Sequence, residues 1–89
     1  MKQGIFEVTE NRPIAESVFL MKLCGDTSAI TRPGQFVNIK LDGFYLRRPI
    51  SVCNVDGDIL TIIYKVVGAG TRQMAEIKNG EKLDVLSGL

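Results

Sequence analysis

The side chains in this sequence best suited to chemistry are two guanidinium groups and a hydroxyl gathered in Arg47-Arg48-Pro49-Ile50-Ser51. An Arg offers a rigid fork of N–H donors that matches phosphate or carboxylate, and a nearby Ser adds a short donor or acceptor for a second polar group. Pro49 fixes its own φ and drives Arg48 towards an extended backbone, so the stretch reads as the start of a strand. Alternation then puts Arg48, Ile50 and Val52 on one face and Arg47, Pro49 and Ser51 on the other, unless a bulge intervenes. The plain alternative is two solvated arginines ahead of a core strand.

A second anion signal is Gly68-Ala69-Gly70-Thr71, which lies between an apolar run and a set of helix formers. Two glycines let a ligand come close, and a helix start presents free N–H groups with partial positive charge. The pattern lacks the Lys of a P-loop. The same residues serve equally as an ordinary N-cap turn, with Gly70 or Thr71 as the cap. A hairpin turning at Asp56-Gly57 would join the two signals, because antiparallel register sets the start of its first strand beside the end of its second and brings Arg48 to residues 68–71. Ser51 lies about 10 Å further along the strand from Arg48. That spacing suits an elongated ligand with a diphosphate at one end and a polar ring at the other.

Other chemistry is narrowed by what the chain lacks. It has no His, and Cys24 and Cys53 stand alone without CxxC spacing, so neither a metal site, an iron–sulfur cluster nor a His base is expected from these 89 residues. Cys53 falls in the apolar run 50–55 and is expected in the core; Cys24, beside Gly25 and Asp26, is expected at a strand end, and no disulfide is implied. Eleven basic and ten acidic side chains leave a net charge of +1, which gives no global case for nucleic acid or an anionic membrane. No apolar run is long enough to cross a bilayer and the first residues lack the apolar segment of a signal peptide, so a cytoplasmic location is expected.

The elements that must position these groups are mostly strands. Runs at 5–10 (interrupted by Asn11-Arg12-Pro13), 17–23, 36–41, 49–55, 59–67 and 82–86 read as strands, with turns at Arg32-Pro33-Gly34-Gln35, Asp42-Gly43 and Asp56-Gly57. The run 59–67 reads as the longest and central one. Residues 72–78 carry the only convincing helix, stopped by Asn79-Gly80 and too short to stand without packing on the sheet. Phe44 and Tyr45 are either half-buried strand aromatics or a stacking surface. Together this predicts one all-β domain over 1–89, a six-stranded antiparallel Greek-key β-barrel with one short helix.

Three motifs in order, Arg32-Pro33-Gly34-Gln35-Phe36-Val37, Arg48-Pro49-Ile50-Ser51 and Lys65-Val66-Val67-Gly68-Ala69-Gly70-Thr71, resemble the FAD-binding barrel of the ferredoxin reductase superfamily. The branch of the dihydroorotate dehydrogenase electron-transfer subunits is the most similar, through its arginine pair before Pro-hydrophobic-Ser, and the resemblance covers essentially the whole chain. It implies that Arg48 pairs with the FAD diphosphate, that Ser51 hydrogen-bonds the isoalloxazine edge, and that Gly68, Gly70, Thr71 and the helix start hold the diphosphate. The family pattern is Arg-x-Tyr-Ser/Thr. Here Pro49 and Ile50 fill the middle positions, so apolar contact by Ile50 replaces aromatic stacking, with Tyr64 or Lys65 lining the other side of the cofactor and Val52 and Asn54 as secondary contacts. No residue is implied as a catalytic acid or base, and no metal site.

The function implied is a flavin-binding domain of an electron-transfer oxidoreductase subunit, passing electrons between NAD(H) and a catalytic dehydrogenase partner through FAD and a [2Fe-2S] cluster, with dihydroorotate dehydrogenase of pyrimidine biosynthesis as the partner. Full-length family members add an NAD-binding domain and a cluster region. Residues 1–89 then read as the N-terminal domain, enzymatic as part of the complex and not expected to be active alone, with no nucleic-acid or membrane partner. Two other readings stay open: a docking barrel whose arginines form interface salt bridges, and a barrel that binds single-stranded nucleic acid through Phe44, Tyr45, Arg47, Arg48 and Lys65.

Overall fold

The computed structural model describes residues 2–31, 34–43 and 47–88; the Arg32-Pro33 half of the first turn and the Phe44-Tyr45 pair lie outside them. Six strands form a closed antiparallel barrel: β1 (Lys2–Ala15), β2 (Val18–Cys24), β3 (Phe36–Ile39), β4 (Arg48–Asp56), β5 (Ile59–Lys65) and β6 (Lys82–Ser87), with one helix, α1 (Ala69–Ala75), between the last two. Around the barrel the order is β1-β2-β5-β4-β3-β6. Two hairpins are laid side by side with crossovers between them, the expected Greek-key arrangement.

Period-two alternation builds the core. Phe6 and Val8 of β1, Met21 and Leu23 of β2, Val37 and Ile39 of β3, Ile50 and Val52 of β4, Leu60 and Ile62 of β5, and Leu83 and Val85 of β6 all point inward and are buried. Gly57 turns the β4–β5 hairpin at φ +61°, and Gly34 takes φ +90° in the turn before β3, backbone that a side chain would strain.

The structure departs from the sequence expectations in four places. β1 does not break at Asn11-Arg12-Pro13 but runs through them, with register shifts between Val8 and Glu10 and between Pro13 and Ala15. It can do so because β6 pairs only with Lys2 to Glu7, so the second half of β1 has a free edge on which a proline sacrifices no ladder bond. At 14 residues β1, not β5, is the longest strand. The helix starts and ends three residues earlier than its formers suggest, with Gly68 as N-cap and Glu76 as C-cap, so Met74 is its buried anchor while Ile77 packs on the core from beyond its end.

Cys53 is exposed rather than in the core. Alternation from the inward Ile50 and Val52 sets it on the outer face, and the bulge between Val52 and Asn54 then leaves Asn54 exposed as well and returns Val55 to the core. Cys24 closes β2 as expected, and both thiols are free. Among the described residues no helix is long and apolar enough to cross a membrane, and no three metal-ligating side chains cluster.

Candidate functional site

β4 changes partner at Val52. Its ladder with β5 runs from Asp56↔Ile59 to Val52↔Ile62 and stops, while its first four residues pair with β3, from Ile39↔Arg48 to Phe36↔Ser51. Val52 N–H donates to Gln35 O at 2.7 Å, and its carbonyl accepts from Gly34 N–H at 3.0 Å, which locks the strand to the turn ahead of β3. Residues Ile63 to Lys65 of β5 meanwhile pair with β2. Where β4 begins and β5 ends, no ladder joins them, and α1 starts four residues beyond Lys65. The β4–β5 register therefore ends at Val52↔Ile62, short of both Arg48 and residues 68–71, and Arg48 is positioned by β3 instead.

The two arginines have separate fates. Arg47 Nη1 donates to the carbonyls of Asn38 at 3.4 Å and Asp84 at 3.2 Å, and its Nη2 pairs with Asp84 Oδ1 at 3.1 Å. This fork straddles the β3–β6 seam, which closes the barrel with only the pairs Asn38↔Leu86 and Ile39↔Val85. Burial pushes the Asp84 carboxyl up, but hydrogen bonds from Gln3 and Arg47, with the positive charges of Arg47 and Lys40, outweigh it and hold it below the usual carboxylate range. Arg48 is exposed and has no partner among the described residues, so its guanidinium is free for an external anion. Ser51, three residues on, is equally exposed and unpartnered.

At the helix start the Thr71 hydroxyl does the capping. Thr71 is buried; its Oγ1 accepts from Val67 N–H at 2.9 Å and Gly68 N–H at 3.1 Å and donates to Gly68 O at 3.2 Å. That satisfies the N–H groups ahead of the helix and leaves those of Ala69, Gly70 and Thr71 itself without a partner among the described residues. Nothing stands within 4 Å of where a Cβ on Gly68 would lie, so the approach to these N–H groups is open. Thr71 thus holds the turn with its hydroxyl and leaves only its backbone N–H open to a ligand.

The other sequence-predicted positions divide by exposure. Pro49, Asn54 and Lys65 are on the surface, whereas Val52 is buried and Ile50 only 8% exposed, so Ile50 offers little area to a flavin ring. Tyr64 is engaged inside the barrel. Its hydroxyl donates to Asn11 Oδ1 at 2.8 Å, its ring stacks on Phe19 with centroids 5.7 Å apart, and burial pushes its phenol up to about 12. Phe36 is the residue the site reading missed: it is 53% exposed and is the register partner of Ser51 on the outer face. The signal was present, since Phe36 follows the Pro33-Gly34-Gln35 turn and alternates with the inward Val37.

No family model matches the chain. Among curated proteins it is 47% identical to the dihydroorotate dehydrogenase B (NAD(+)) electron transfer subunit of Fusobacterium nucleatum subsp. nucleatum, over 92% of this chain and 34% of that protein. It is 43% identical to the subunit of the same name from Bacillus mycoides, over 99% of this chain and 36% of that one. The chain thus spans about a third of the length of the curated relatives it matches. Among solved structures, an NADH-dependent reduced ferredoxin-NADP oxidoreductase superposes with a TM-score of 0.83 at 32% identity, covering 94% of this chain and 33% of that one. Phthalate dioxygenase reductase, at a TM-score of 0.80 and 16% identity over 96% of this chain and 29% of its own, shares the fold. The chain shares the barrel fold of these two reductases and is related by sequence to the electron transfer subunits of dihydroorotate dehydrogenase B.

Proposed function

We propose that this barrel binds FAD and serves as the flavin-holding part of an electron-transfer subunit that links NAD(H) to a catalytic dehydrogenase, with dihydroorotate dehydrogenase as the partner activity. The observation that carries the reading is the pair of exposed, unpartnered side chains Arg48 and Ser51 on the part of β4 that has left β5, together with the N–H groups of Ala69, Gly70 and Thr71 that have no partner among the described residues. A guanidinium fork and a helix start together fit a diphosphate. The relatives' names supply the partner and the nicotinamide nucleotide.

In this reading Arg48, Gly68, Gly70 and the backbone of Thr71 hold the diphosphate, while Ser51 offers its hydroxyl to the polar edge of the ring. Pro49 and Ile50 give the strand its rigidity and its apolar backing, and Lys65 sits at the rim. FAD, when bound, supplies the redox chemistry that these side chains cannot, and the protein's task is to position and tune it. Tyr64 acts one layer deeper, fixing Asn11 and the end of α1 instead of touching the cofactor. A [2Fe-2S] centre would need ligands from beyond these 89 residues, since a cluster takes four thiolates and the chain has two cysteines. With Arg47 committed to Asp84, a nucleic-acid track along this face loses one of its cations.

The test is a visible absorption spectrum of the purified protein before and after incubation with FAD and desalting. A retained oxidised-flavin spectrum is expected, and Ser51→Ala should keep the flavin but shift its spectrum. A protein that retains no flavin, both alone and within the longer subunit, would overturn the assignment.

A further inference from the structure

Asn11 sits on the half of β1 that β6 leaves uncovered, and its side chain is committed to two other elements. Its Nδ2 donates to Met74 O and Ile77 O, both at 2.9 Å, and its Oδ1 accepts from the Tyr64 hydroxyl at 2.8 Å. Those two carbonyls lie at the C-terminal end of α1, where intrahelical donors run out. Tyr64 is buried in β5 and stacked on Phe19, so the acceptor side of Asn11 is anchored in the barrel wall. The chain that leaves β5 at Tyr64, turns at residues 66–68 and forms α1 is thus brought back to Tyr64 through one side chain. The turn is held at further points, with Val66 N–H on Ser17 O at 2.7 Å and the N–H groups of Val67 and Gly68 on Thr71 Oγ1. A helix of seven residues does not order itself in water, so α1 keeps its place only through these ties and the burial of Thr71 and Met74.

We propose that Asn11 is a positioning residue for the cofactor, resting on the FAD reading above. It acts without touching the ligand. By holding the far end of α1 it keeps the backbone of Gly68, Gly70 and Thr71 ordered before the diphosphate arrives, and a site ordered in advance binds more tightly than one the ligand must order. Asn is suited to the task because one planar amide presents donors to the two helix carbonyls and an acceptor to the phenol. Ala at this position would leave all three partners unpaired, and Asp would keep the acceptor for Tyr64 while turning a carboxylate oxygen on the carbonyls of Met74 and Ile77.

The experiment compares wild type, Asn11→Ala, Tyr64→Phe and Gly25→Ala by FAD affinity, from quenching of flavin fluorescence, and by the phosphorus resonances of the bound FAD. Gly25 lies just beyond β2 against Phe6, outside the site, so its substitution lowers stability without touching the knot. Asn11→Ala should weaken FAD about tenfold, the fold-change of ordering one residue's backbone on binding, and shift the phosphorus resonances. Gly25→Ala should do neither at a temperature where it is folded. Tyr64→Phe, which removes one bond and leaves the helix carbonyls paired, should weaken FAD about threefold and decides the matter if Asn11→Ala fails to fold. Wild-type affinity and phosphorus resonances in the Asn11 and Tyr64 variants, or an equal loss in Gly25→Ala, would overturn the role of Asn11 alone. Failure of the wild type to bind FAD would overturn the cofactor reading and this role with it.

Discussion

Arg47 and Arg48 are neighbours of the same residue type, and replacing each with Ala should give opposite phenotypes. Arg47→Ala removes the 3.1 Å ion pair with Asp84 and two bonds to carbonyls across the seam that closes the barrel. The partners are 23% and 22% exposed, between the surface pairs worth about 0–1 kcal/mol and the buried ones whose breakage costs about 3–5, so a loss of about 2 kcal/mol is expected. In a chain this small each kcal/mol moves Tm by about 4–8 °C, which puts the Arg47→Ala midpoint about 8–16 °C below wild type. Arg48→Ala breaks nothing within the described fold and should stay within about 0.5 kcal/mol of wild type. Its loss should appear in FAD affinity instead, at about 1.5–3 kcal/mol for a charge-assisted bond, or roughly 10- to 150-fold in Kd. Melting by far-UV circular dichroism without flavin, beside a fluorescence titration with FAD, separates the two. Because the Asp84 carboxyl is held low in the fold, its contribution is complete above its unfolded value near 3.9 and lost as pH falls through the folded value. The gap between wild type and Arg47→Ala should therefore close in acid. An Arg48→Ala protein that melts as low as Arg47→Ala, or an Arg47→Ala protein that melts like wild type, would refute the division of labour.

Three further outcomes are expected. Tyr64→Phe loses the bond to Asn11 and about 1 kcal/mol; since burial raises the phenol to about 12, its share of stability is complete below the unfolded value near 10 and lost as pH climbs towards 12, so urea midpoints of the variant should fall less steeply across that window than those of wild type. Asn11→Ala strips the amide that donates to Met74 O and Ile77 O, both at 2.9 Å, along with the acceptor for Tyr64, and should cost about 2 kcal/mol in urea unfolding, with amide exchange fastest at the end of α1. Gly25→Ala would set a Cβ 2.7 Å from the ring of Phe6, which is 1% exposed and has nowhere to retreat, so a destabilisation of about 1–3 kcal/mol is expected by the same measurement.

Most of the barrel was legible because alternation is a local property. Met21 and Leu23, Leu60 and Ile62, and Leu83 and Val85 announce their strands within a few residues, and Gly57 marks its hairpin by the φ it alone tolerates at no cost. What failed depended on neighbours that a linear reading does not supply. Asn11 and Pro13 look like a break, yet β6 stops pairing with β1 at Glu7 and leaves them a free edge, and Asn11 is then recruited to hold the end of a helix more than 60 residues away. Cys53 sits in an apolar run, yet as the residue after the inward Val52 it falls on the outer face.

The candidate site follows the same rule. Gly68 to Thr71 could be recognised as a helix start from composition, whereas the β4–β5 register does not reach Arg48, because β4 passes to β3 before its first residues. Which arginine is free was not legible, since both are local equals and the difference is made by Asp84, 37 residues on and across the closing seam. That separation has a consequence for the site itself. Arg47 ties the chain to the seam immediately ahead of β4, and β3 holds the first four residues of β4 from Arg48 to Ser51. The free guanidinium and hydroxyl thus project from backbone fixed on both sides, so a ligand that bridges them meets a site whose backbone ordering is already complete.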